Sequence, residues 1–126
     1  MATEVKYATS FDERFNPKNV LDQSRDKFWI TTGLYPQELA IDLKKPQPIN
    51  AIRFVTTGAK KIEIQGCKDS KGDDFVKLGE SKEIANNGSG EQSESIAMQE
   101  SFPVTFFKFI ILDGWDDFTS VHSIQI

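Results

Sequence analysis

Short apolar stretches recur along this chain roughly every ten residues, with Pro, Gly, Asn or Asp between them. Each stretch is long enough for a strand and too short for a packed helix. The rhythm therefore predicts an all-β fold, a β-sandwich of jelly-roll type, in one domain over residues 1–126. Strands are expected at 5–10, 28–30, 38–43, 49–56, 61–66, 75–81, 95–99, 104–112 and 120–126. The third alternates cleanly, with Leu39, Ile41 and Leu43 on one face and Glu38, Ala40 and Asp42 on the other. The fourth follows a turn at Lys44-Lys45-Pro46-Gln47-Pro48. The strand at 104–112 is the most apolar and is expected at the centre of its sheet. Val121, Ile124 and Ile126 are core candidates whose spacing breaks strict alternation. No apolar stripe of helical period is long enough for a substantial helix; a short turn at 16–21, capped by Asn16 with Pro17 first, is the best. Polar connections are expected at 68–74 and 86–94.

Composition narrows the function classes. The net charge of −4 argues against a nucleic-acid binder, which needs a basic face. One Cys cannot close an internal disulfide or build a cysteine zinc site. No apolar run approaches the roughly 18 residues that cross a bilayer, and the first ten residues lack a signal-peptide core, so membrane insertion is not expected and a cytosolic location is.

Catalysis has little to draw on. The single His, His122, lies in the last strand between Val121 and Ser123, with no nucleophile elbow and no glycine-rich oxyanion loop. Gly88 and Gly90 stand in a polar loop with no helix or Lys after them, so no phosphate-cradling loop exists. The expectation is a non-enzyme without catalytic residues. Acidic residues fall in turns, but none has the spacing of a helix–loop–helix calcium site. Phe28, Trp29, Phe106, Phe107 and Phe109 read as core filler, with Trp29 buried between sheets; Tyr35 and Trp115 lie in loops, where contacts to partners concentrate.

Asn19-Val20-Leu21-Asp22, then Phe28-Trp29, then Pro36-Gln37-Glu38-Leu39-Ala40-Ile41-Asp42-Leu43, resemble in order and spacing the discoidin, or galactose-binding-like, jelly roll. A narrower resemblance rests on Ala8-Thr9-Ser10-Phe11-Asp12-Glu13, on Phe28-Trp29-Ile30-Thr31-Thr32-Gly33-Leu34-Tyr35-Pro36-Gln37-Glu38 and on Phe118-Thr119-Ser120-Val121-His122-Ser123. These blocks are similar to the discoidin-like subunits of the intraflagellar transport B complex. The resemblance implies a non-catalytic adaptor in the cytoplasm and the cilium or flagellum, partnered by a Rab-like small GTPase and other complex B subunits. The alternative within the same fold is a carbohydrate-binding module.

The resemblance also implies one calcium ion, held by positions that align with Asn19, Asp22 and the residue two before Trp29. That residue is Lys27, where the family has Thr. A Lys supplies only donors and its own positive charge, so the expected site is weakened or lost. For the GTPase, residues 31–38 are more elaborate than a turn requires. Thr31, Thr32 and Gln37 offer hydrogen bonds, Tyr35 a flat anchor and Pro36 stiffness. With Glu38, and with His122 from the last block, they form the expected partner surface.

Overall fold

The computed structural model describes residues 4–9, 20, 29–31, 34–67, 75–85, 91–98, 103–115 and 119–125. Their strands are β1 (Glu4–Ala8), β2 (Trp29–Ile30), β3 (Gln37–Pro48), β4 (Ala51–Thr57), β5 (Ala59–Cys67), β6 (Phe75–Glu80), β7 (Gln92–Ala97), β8 (Pro103–Gly114) and β9 (Ser120–Gln125). They form two antiparallel sheets, one of five strands in the order β1-β3-β8-β5-β6 and one of four in the order β2-β9-β4-β7. The expected β-sandwich is the fold found, and β8, the most apolar strand, is the central one of its sheet.

Period-two alternation builds the core. Leu39, Ile41 and Leu43 of β3, Ile62 and Ile64 of β5, and Phe107, Phe109 and Ile111 of β8 meet Trp29, Ile52, Phe54, Ile96, Val121 and Ile124 from the other sheet. Phe54 and Phe109 pack edge to face across the sandwich, with centroids 5.1 Å apart. Trp29 is fully buried, as expected, and so is Val20. The rest of the expected 16–21 turn, and Phe28, lie outside the described residues.

Four expectations need correction. Residues 44–48 do not form a turn: β3 runs on to Pro48, with its register to β8 interrupted after Asp42 and resumed at Gln47. Lys44, at φ 70°, marks the interruption, and its amide donates to Asp42 Oδ1 at 2.8 Å. Second, β7 begins at Gln92, inside the stretch expected to be a loop. It is an edge strand with one inward apolar residue, Ile96, so it carries almost no alternation signal. Third, Phe106 points away from the core onto the outer face of the five-stranded sheet, where the Lys6 ammonium lies 4.3 Å from its ring centroid. Fourth, the irregular spacing of Val121 and Ile124 comes from a β-bulge. Val55 pairs with Ser123 and Thr56 with Val121, so His122 is the extra residue and both apolar residues face inward. Ile126 lies outside the described residues.

Candidate functional site

The register brings one set of connections to a common end of the sandwich, here the upper end. Gln37 of β3 stands opposite Ile111, Ala59 of β5 opposite Gly114, and Ser120 of β9 opposite Thr57. The last two of the three family-like blocks meet there. The Thr31 amide donates to the Thr119 carbonyl at 3.0 Å, and the Thr119 amide returns a bond to Thr31 Oγ1 at 3.0 Å. The Tyr35 hydroxyl lies 2.6 Å from Thr119 Oγ1. Gln37 Nε2 donates to the Leu34 carbonyl, and the Tyr35–Pro36 peptide bond is cis. Thr31 and Gln37 are buried, so the hydrogen-bonding groups that the sequence offered to a partner are used inside the fold.

Gly114 shows how closely this end is packed. A Cβ there would meet the Tyr35 hydroxyl and Thr119 Oγ1, so a glycine lets the end of the tyrosine ring approach β8 this closely. The next residue, Trp115, is tied twice: its amide donates to the Gly58 carbonyl and its Nε1 to the Ile84 carbonyl, both at 2.8 Å. Gly58 adopts a φ of 82°, which turns the chain between β4 and β5. The Lys60 ammonium sits 4.7 Å from the Trp115 ring centroid and 3.8 and 4.0 Å from the carboxylates of Glu83 and Asp113. One face of the indole is thus occupied by a side chain of the protein itself.

The six expected partner residues do not share one surface. Thr31, Tyr35 and Gln37 lie within the upper end. Glu38 points outward from the five-stranded sheet, where its carboxylate accepts from the Tyr7 hydroxyl at 3.3 Å and pairs with Lys108 at 3.7 Å. His122 lies on the outer face of the four-stranded sheet, buried, with Nε2 3.0 Å from Ser120 Oγ and 3.3 Å from Thr57 Oγ1. Thr32 lies outside the described residues, as do Asn19, Asp22 and Lys27 of the expected calcium site. Among the described residues, no three His, Cys, Asp or Glu side chains converge to hold a metal.

Sequence reasoning passed over Leu34. It stands 90% exposed beside the anchored Tyr35 and is the most exposed large apolar side chain among the described residues. Trp115, at 37%, is also exposed. Since Tyr35 rests on Gly114, the residue before Trp115, these three side chains belong to the same upper end. A leucine followed by a tyrosine reads from sequence as one more apolar pair, and only the buried bonds of Tyr35 and Gln37 show which residue is left outside.

The Ser120–His122 contact places a hydroxyl beside an imidazole, the first requirement of a nucleophile–base pair. Both side chains are buried at a bulge in one strand. The open cavity beside β7, described below, is lined by Ser123 but by neither Ser120 nor His122. The contact holds the bulge.

Comparison with known proteins agrees with this geometry. Residues 4–124 match the F5/8 type C domain family. The chain is 34% identical over 122 residues to intraflagellar transport protein 25 of Chlamydomonas reinhardtii, covering 97% of this chain and 63% of that protein, so it spans less than two thirds of that relative's length. It is 34% identical over 123 residues to the mouse homolog and 32% to the human one, covering 85% and 84% of them. Among solved structures, CpGH89CBM32-5 from Clostridium perfringens, in complex with GalNAc-β-1,3-galactose, superposes with a TM-score of 0.79 at 20% identity, covering 97% of this chain and 92% of that one. The family 32 carbohydrate-binding module of C. perfringens NanJ, in complex with galactose, gives 0.78 at 15%, covering 97% and 90%. At those identities the solved structures establish the jelly-roll fold alone. The sequence match over nearly the whole chain, on a discoidin-like sandwich in which two of the family-like blocks lock together through Thr31 and Thr119, places this chain in the F5/8 type C domain family and in the family of intraflagellar transport protein 25.

Proposed function

We propose that this chain is a non-catalytic subunit of the intraflagellar transport B complex, working in the cytoplasm and the cilium or flagellum, whose upper end meets a Rab-like small GTPase. The intraflagellar transport role rests on the named relatives; the partner and the surface are our reading. The observation that carries the surface is Leu34, an exposed apolar side chain beside a backbone fixed by the bonds of Tyr35 and Gln37. A pre-organised anchor loses little conformational entropy on binding. Trp115, an amphipathic ring at the same end, extends the contact. The glycan-binding alternative gains nothing from this end, because Lys60 occupies one face of the indole that would serve as a stacking platform.

The test is capture of a purified Rab-like small GTPase of the B complex. Leu34→Asp should weaken capture by at least about tenfold while unfolding stability stays within about 0.5 kcal/mol of wild type, the usual range for an exposed site. Undiminished capture by Leu34→Asp and by Trp115→Ala would refute this surface.

A further inference from the structure

The edge of the four-stranded sheet carries a feature that the upper end does not explain. Among the described residues, β7 pairs on one side only, with β4, through six consecutive partners from Ala51–Ala97 to Thr56–Gln92 and no break in register. The other edges are blunted. β1 is bulged at Lys6, β6 is bulged at Leu78 and carries Lys77, and β2 is two residues long. β7, Gln-Ser-Glu-Ser-Ile-Ala, has no Pro, no Lys and no bulge.

An open cavity of about 950 Å³ runs beside this edge, bounded by Glu80, Ser81 and Lys82 of the chain leaving β6. That chain meets β7 only near its ends. A Cβ on Gly79 would touch the Ala97 carbonyl, and Gln92 Nε2 reaches the Ala85 carbonyl at 3.0 Å. Between these points no backbone hydrogen bond joins the two segments among the described residues.

The same cavity opens on the outer face of the four-stranded sheet, where registered rows place Gln125, Arg53 and Ser95 side by side, and Ser123, Val55 and Ser93 next to them. Arg53 is the one Arg among the described residues; it is exposed and makes no ion pair there. Of the other charges lining the cavity, Glu80 is held by Lys77 at 3.2 Å, Lys82 belongs to the chain leaving β6, and Glu94 stands on the Ile96 side of β7, opposite Phe54. The guanidinium is the charge that these outer-face rows carry, with the Ser95 hydroxyl beside it.

We propose that β7 accepts an extended acidic segment of a partner polypeptide, which adds as a further strand to the open edge and sets a carboxylate or phosphate on Arg53. An edge strand supplies affinity through unpaired main-chain groups, and a side-chain site at alternate positions supplies specificity. Arg binds either oxyanion through paired, charge-assisted hydrogen bonds, and Ser95 on the adjoining strand stands beside it as a further hydroxyl donor. This surface is on a different face from the one proposed for the GTPase and does not depend on it.

The probes are three blocked hexapeptides that alternate valine with glutamate, with phosphothreonine or with lysine, each titrated into isotope-labelled protein followed by NMR. The glutamate peptide should slow amide exchange along β7, shift the Arg53 Nε–H resonance and bind at least about tenfold more tightly than the lysine peptide. Tighter binding of the phosphothreonine peptide would identify a phosphorylated segment as the source, and equal binding a carboxylate one; either supports the site. Arg53→Glu should reverse the order of the peptides with the melting temperature unchanged, and Leu34→Asp should leave it alone. Unaltered β7 exchange, equal binding of the glutamate peptide to Arg53→Glu, or shifts confined to Leu34, Tyr35 and Trp115 would each overturn the proposal.

Discussion

The outer faces of the two sheets solve the same problem in opposite ways. On the five-stranded sheet, lysines lie over aromatic rings and pair with carboxylates: Lys6 covers Phe106, and Lys108 covers Phe75, 4.3 Å from its centroid, while reaching Glu38. Lys77 pairs with both Glu63 and Glu80. These charges and rings are satisfied from within, although Tyr7 and Val76 at the two edges stay exposed. On the four-stranded sheet the face carries Ser93, Ser95, Ser123 and Gln125 around one guanidinium that no carboxylate meets among the described residues, beside the edge strand β7. A face whose charges are paired at home has little to offer a partner, whereas an unmatched one is complete only when something docks.

That contrast presumes one core beneath both faces. Trp29→Ala should remove about 3–5 kcal/mol, the range for a buried aromatic, and should weaken both sheets in a single transition. If chemical denaturation shows a loss under 1 kcal/mol, or two transitions, the faces do not share a core and the comparison fails. Gly114→Ala should cost about 1–3 kcal/mol, because its methyl displaces Tyr35, and hydrogen exchange should rise at the upper end before either face. Tyr35→Phe removes one part-buried hydrogen bond and should cost about 1 kcal/mol by the same denaturation measurement. The smallest pair tests the contrast directly. Lys108→Ala should cost about 0.5–1 kcal/mol through its ring contact, while Arg53→Gln should stay within about 0.5 kcal/mol of wild type. Equal losses would mean that Arg53 has a structural duty and that the two faces are alike.

The inward alternation of β3, β5 and β8 was legible in the sequence because apolar residues at every second position have one sensible destination. β7 was not, because an edge strand with one inward residue looks like a polar loop. The upper end was half legible. Thr31 and Tyr35 do meet the last block at Thr119, but polar side chains read as surface in the sequence when Thr31 and Gln37 are interior bonding groups. Polarity announces a need for a partner and leaves open whether the fold itself supplies it. Arg53 was invisible as a site because its neighbours come from β7 and β9, far away in sequence and joined only by register.

The bulge at His122 has a consequence for how the chain tolerates changes in length. Deleting one residue from a regular strand turns every later side chain to the wrong face. In β9 the extra residue already exists, so removing His122 restores a two-residue period in which Val121 and Ile124 still point inward and Ser123 and Gln125 still point out. Natural variation in the length of this strand, where it occurs among related chains, should concentrate at this one position.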